Sequence, residues 1–128
     1  MKLHIPIDCG NSPRRQLIKD LYITFAENDL ETFYSCLVDD ITWNFVGGSL
    51  LSGKQEIKEF FEKNKLIEAE EFLVDYILTH GNLCSVGGKI TLPDKNVHFA
   101  NFYEFTSVNS KKIKRIKSFV LIEPRNQG

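Results

Sequence analysis

The sequence predicts an α+β cone, with helices near the N-terminus packed on a curved, mostly antiparallel β-sheet. Two observations carry that expectation. From Arg14 to Phe61 the apolar residues recur in the order helix, helix, strand, helix. After that, strand-like runs follow one another with short turn signals between them, as in a meander. Helices that cover one face of a bent sheet tend to enclose a pocket.

The first helix starts at Ser12-Pro13, because proline suits the first helical position and serine can cap free amides. Leu17, Leu21 and Phe25 recur every fourth residue with Ile18 and Tyr22 beside them, and the helix is expected to end near Asn28. Asp29 can cap a second helix, in which Leu30, Phe33, Tyr34 and Leu37 form the apolar stripe. Asp39-Asp40 breaks that pattern. Ile41, Trp43 and Phe45 then alternate with Thr42 and Asn44, as in a half-buried strand. Gly47-Gly48 marks a turn, and Ser52 with Gln55 has the form of a capping box for a third helix carrying Ile57, Phe60 and Phe61. Runs at about Ala69–Thr79, Leu83–Leu92, Val97–Ser107 and Ile113–Ile122 make the meander. Their turns are Gly81-Asn82, Pro93-Asp94-Lys95-Asn96 and Asn109-Ser110. Gly87-Gly88, inside the second run, predicts a bulge or sharp bend.

A chain of 128 residues, 42% of them hydrophobic, reads as a single domain over 1–128 with enough core to fold unaided. Sixteen basic against seventeen acidic residues leave a formal charge of −1, which supplies no global attraction for nucleic acid or an anionic membrane. Glu62, Glu68, Glu70 and Glu71 cluster near the middle, and Lys111, Lys112, Lys114, Arg115 and Lys117 near the end. These read as solvated surfaces, or as an edge facing an acidic partner. Pro6 and Asp8 interrupt any leader-like apolar run, and no stretch reaches membrane-spanning length, so a soluble, cytoplasmic protein is expected.

Cys9, Cys36 and Cys84 are widely separated, with no Cys-x-x-Cys pair to support a zinc or redox site, and Cys36 and Cys84 read as small core residues. His4, His80 and His98 show no metal-ligand spacing, and no phosphate loop, dinucleotide fingerprint or Gly-x-Ser-x-Gly occurs. No metal and no cofactor is therefore expected.

Asn28-Asp29-Leu30-Glu31, Asp39-Asp40-Ile41-Thr42-Trp43 and Gly53-x-x-x-Ile57-x-x-Phe60-Phe61, with the strand order after them, resemble the nuclear transport factor 2-like superfamily over about Arg14 to Ile122. Its relatives include steroid delta-isomerases, SnoaL-like polyketide cyclases and scytalone dehydratase. The resemblance implies a cystatin-like cone that often dimerises through the outer sheet face. It does not imply a reaction, since the fold serves enzymes, binding modules and assembly domains.

Carried over residue by residue, the isomerase base position falls on Phe45, which cannot hold a proton, and the later acid donor falls on Asn101. The helix-one tyrosine donor falls at Leu21, beside Tyr22. Strand parity puts Phe99, Asn101, Tyr103 and Phe105 on one face, which the Asn101 match turns inward, with His98 outward. Trp43, Phe45 and Ser118 are expected inside as well, and Arg115, Lys117, Phe119 and Leu121 outside. The expected ligand-binding set is thus Tyr22, Trp43, Phe45, Phe99, Asn101, Tyr103 and Ser118. The alternative for Asn101 and Ser118 is that backbone or water satisfies them in a plain core.

If the chain is catalytic, isomerisation, cyclisation or dehydration by metal-free acid–base chemistry is expected, with Asn101 stabilising an oxyanion and Asp75 as the strand carboxylate available as a base. The rival expectation is a non-catalytic dimeric module for ligand binding or protein association. The partners expected are a small apolar molecule and a second copy of the chain.

Overall fold

In the computed structural model, which describes residues 2–5, 13–64 and 69–125, the elements run β1 (Lys2–His4), α1 (Pro13–Ala26), α2 (Leu30–Ser35), β2 (Leu37–Phe45), β3 (Leu50–Ser52), α3 (Lys54–Lys63), β4 (Glu71–His80), β5 (Leu83–Thr91), β6 (Lys95–Phe105) and β7 (Ile113–Pro124). The strands form one mixed, unclosed sheet in the order β1-β4-β5-β6-β7-β2-β3. The β4–β5–β6–β7 meander is antiparallel throughout, whereas β1 joins β4 and β2 joins β7 in parallel. The three helices pack on the sheet's inner face, which is the α+β cone the sequence predicts.

Helix α1 begins at Pro13, while the expected Ser12 cap lies outside the described residues. Its buried stripe is Ile18, Leu21, Tyr22 and Phe25, so Leu17 stands at the margin. Asn28 ends it in the left-handed region (φ 59°), where asparagine is tolerated. Asp29 then caps α2, its carboxylate accepting from the Thr32 amide at 3.3 Å and the Thr32 hydroxyl at 2.6 Å. Arg14 fixes the near end of α1. Its guanidinium donates to the main-chain oxygens of Ser107, Val108 and Ser110 in the β6–β7 connection and lies 3.8 Å from the centre of the Phe105 ring. Carbonyl oxygens and a ring face thereby meet the terminal nitrogens of this cation, while its buried Nε has no hydrogen-bond partner among the described residues.

Several boundaries differ from expectation. Leu37 and Val38 belong to β2 rather than to α2, and Asp39-Asp40 sits within the register shift where β2 leaves β7. The α3 cap is Gly53 at φ 87°, without a side-chain bond, and the amide of Ser52 is met by the Glu56 carboxylate at 3.1 Å instead of a Ser52–Gln55 box. Two short edge strands, β1 and β3, were not expected, and β1 takes a segment read as irregular. Such strands have too few residues for a period-2 pattern to register.

The bend at Gly87-Gly88 has a specific cause. Opposite these glycines, β4 carries an extra residue: Val74 pairs with Gly88, Tyr76 with Gly87, and Asp75 between them is unpaired. A Cβ on Gly88 would lie 2.1 Å from the Leu73 carbonyl oxygen, so the two strands approach as closely as they do because nothing intervenes. Among the described residues, no helix is long and apolar enough to cross a membrane.

Candidate functional site

Strands β6 and β7 carry Asn101 and Ser118 directly opposite each other, both on the inner face. Trp43 comes from β2 beside β7, Tyr103 lies two residues beyond Asn101 on the same strand face, and Tyr22 reaches down from α1. These side chains form one continuous hydrogen-bond chain. The Trp43 indole N–H donates to Ser118 Oγ at 2.8 Å, and Ser118 donates to Asn101 Oδ1 at 2.6 Å. Asn101 Nδ2 donates to Tyr22 Oη at 3.0 Å and to Tyr103 Oη at 3.4 Å, and the two tyrosine hydroxyls lie 2.7 Å apart. Polar groups in an apolar interior must be paired, and these pair chiefly with one another.

The chain forms the inner end of a cavity of about 540 Å³, within the range of small-molecule sites. Its walls are aromatic: Phe45, Phe60 and Phe61 on one side, Phe72 and Phe99 on the other. Val97, Val120 and Ile122 continue toward a rim at Asn64, Pro93, Asp94 and Lys95. Val120 and Ile122 share the face of buried Ser118 yet are 46% and 58% exposed, which marks this end of the cavity as its mouth.

Tyr22, Trp43, Phe45, Phe99, Asn101, Tyr103 and Ser118 all line this cavity. Asp75 does not join them. As the unpaired residue of the β4 bulge it is exposed, and its carboxylate is no candidate base for the inner end. His98 lies on the outer side, 3.1 Å from Glu123. Asn101 differs from a free oxyanion donor, since both its amide hydrogens point at tyrosine oxygens. Phe72 is a wall residue the sequence reading missed. The bulge reverses strand parity at Asp75, so Phe72 and Val74 face inward together with Ile77, which no uninterrupted alternation would allow. Among the described residues, no group of His, Cys, Asp or Glu is arranged to hold a metal ion.

Burial raises the pKa of Tyr22 and of Tyr103 well above the ordinary phenol value, and burial pushes the Cys84 thiol up to about 12. Both phenols are therefore neutral donors near neutral pH. The consequence for stability has a definite sign. In the unfolded chain these groups lose protons from about pH 8.5 to 10, while the folded chain retains them. Stability is accordingly full below that range and falls as pH rises through it, by up to about 1.4 kcal/mol per pH unit for each responding group. Urea midpoints are expected to drop between pH 8 and pH 11, with part of the phenolate absorbance appearing only on unfolding. A constant midpoint, with every tyrosine titrating near pH 10 in the folded protein, would contradict this.

No family model matches the sequence, and no curated protein matches it either. Solved structures do match. An NTF2-like protein of unknown function from Cytophaga hutchinsonii superposes with a TM-score of 0.67 at 21% identity, over 84% of this chain and 98% of that one. A candidate ketosteroid isomerase from Kribbella flavida gives 0.71 at 19% identity, over 89% and 81%. SalBIII, an epoxide hydrolase/cyclase-like enzyme of pyran ring formation in salinomycin, gives 0.69 at 14% identity, over 88% and 95%. The fold is that of the NTF2-like proteins.

Proposed function

We propose that this protein holds a small, mostly apolar molecule in the cone, with the hydroxyl–amide chain of Tyr22, Tyr103, Asn101, Ser118 and Trp43 as the polar end of the site. The observation that carries the reading is an open, aromatic-walled cavity of about 540 Å³ that ends on inward-facing polar groups. Binding without chemistry is favoured over isomerisation, cyclisation or dehydration. Phe45 presents hydrocarbon where the isomerase resemblance calls for a base, and the carboxylate among the described lining residues, Asp94, stands at the rim. Proton abstraction at the inner end would fall to phenols that burial keeps protonated. Native mass spectrometry of protein purified from its source is expected to show a retained mass that departs on denaturation. An empty protein under gentle handling, together with no uptake of apolar aromatics, would refute the reading.

A homodimer through the outer sheet face is part of the same proposal. Tyr76, Leu78, Phe102, Phe119 and Leu121 are 44%, 61%, 45%, 43% and 70% exposed on that face, more apolar surface than an isolated sheet normally shows to water. Each end of the face carries charges of both signs that already meet within the chain, Glu104 with Arg115 at 3.4 Å and His98 with Glu123 at 3.1 Å, so the exposed apolar area carries the proposal. Sedimentation is expected to give a dimer for the native chain and a folded monomer for Phe119→Asp. A native chain that stays monomeric at tens of micromolar would remove the dimer without touching the cavity.

A further inference from the structure

The inward face of β6 changes character along its length. Strand parity puts Lys95, Val97, Phe99 and Asn101 on one side, and all four line the cavity. The face therefore runs from a cation at the mouth, over an apolar wall, to the amide at the inner end. Lys95 is half-buried, whereas Asp94, the other charged residue of the described rim, sits in the turn before β6 and is exposed. That turn is fixed from two sides. The Leu92 amide donates to the Lys95 carbonyl at 2.9 Å, and the Arg125 amide, just after β7, donates to the Asp94 carbonyl at 3.0 Å. Neighbouring polar side chains are already engaged: Arg125 with Glu70 at 2.9 Å and the Leu92 carbonyl at 2.8 Å, and Asn64 with the Phe60 carbonyl at 3.0 Å. The Lys95 ammonium group has no hydrogen bond or ion pair among the described residues.

We propose that the ligand is an amphipathic anion, a carboxylate or similar acid on an apolar body, which lies along β6 with its acid group at the mouth against Lys95. The proposal rests on the cavity reading above and adds the charge and the orientation of the occupant. The inner hydroxyl–amide chain pairs chiefly with itself and can lie against hydrocarbon. Lys95 is different: it brings three donor hydrogens to the end of an apolar wall and finds no acceptor there. An acid group held at the mouth also keeps part of its hydration, which burial at the inner end would strip away. Asp94 opposes an anion, but its exposed charge is weakened by water and salt. Four residues of extended strand separate Phe99 from Lys95, roughly 13 Å, and the flexible lysine stem can fold back along the wall to shorten the gap.

The test titrates 6-phenylhexanoate, 6-phenylhexan-1-ol and 6-phenylhexylamine, one apolar body with three end groups, against the full chain by calorimetry at neutral pH and low salt. The acid-to-alcohol affinity ratio is expected to fall about three- to fivefold in Lys95→Met, the size of one ion pair at a wetted rim. It should hold its native value in Lys111→Met, which removes the same charge from the exposed β6–β7 connection. A second readout needs no variant: the native ratio should drop by a similar factor at about 1 M salt, where the Debye length is about 3 Å. A ratio unchanged by both Lys95→Met and salt overturns the proposal and leaves the cavity reading intact. An equal fall in Lys111→Met overturns it too, because net charge alone would then set the preference. So does a preference for the amine that vanishes in Asp94→Asn, since the rim would then select cations. Failure of all three molecules to bind a folded protein overturns the cavity reading, and the proposal with it.

Discussion

Replacing Gly88 by alanine is expected to destabilise the fold by about 3 kcal/mol or more, the upper end of what overpacking costs. The new Cβ would fall 2.1 Å from the Leu73 carbonyl oxygen and 2.8 Å from Phe99 Cζ. The first of these atoms is backbone, held by the ladder between β4 and β5, and cannot swing aside. The clash sits at the Asp75 bulge that bends the sheet, so relief requires β4 to move away from β5 on one side, while the ring of Phe99, a wall of the cavity on β6, must give way on the other. Gly87→Ala makes a useful control. Its Cβ would meet the Tyr76 ring at 2.4 Å, but that ring is 44% exposed and can rotate outward, so a cost near 1 kcal/mol is expected. Urea denaturation of the two variants checks the contrast. A Gly88→Ala protein within about 0.5 kcal/mol of the native chain would show that the strands do not approach as described.

Phe33→Ala is expected to cost about 3–5 kcal/mol, the range for removing a fully buried phenyl. Phe33 on α2 is 0% exposed, with ring centres of Phe25, Phe61 and Trp43 at 4.7, 5.8 and 6.0 Å. It joins all three helices to β2, and it touches three cavity-lining rings from behind without lining the cavity itself. Those rings come from three separate elements and cannot close together over the void, so the cavity penalty adds to the lost burial. Denaturant midpoints measure this directly. A loss below about 1 kcal/mol would mean that the helices do not clamp the cone through this residue.

The elements that were readable in advance are those whose apolar residues repeat often enough to set a period. Helix α1, the meander and the inward face of β7 with Ser118 follow from spacing, whereas spacing only pairs Asn101 with Tyr103 on one face of β6, and the family resemblance turns that face inward. What escaped has local physical causes. Asp75 looks like one step of a regular alternation, and nothing in its own identity says that it is looped out; the signal was Gly87-Gly88 on the strand beside it. The mutual bonding of Asn101 with Tyr22 and Tyr103 depends on how α1 is rotated over the sheet. That rotation owes much to Arg14 gripping three carbonyls in a connection more than ninety residues away. The use of Glu56, rather than Gln55, to meet the Ser52 amide turns on Gly53 adopting a positive φ, which the capping-box spacing does not anticipate.

Nuclear Overhauser contacts between a bound small aromatic and the protein test the account most directly, because the chain also bears a second groove, of about 770 Å³, lined by Leu78 and Phe102. Contacts from the ligand to the Trp43 indole proton and the Asn101 side-chain amide are the predicted result. Contacts confined to Leu78 and Phe102, with the Trp43 and Asn101 resonances unmoved, would contradict it.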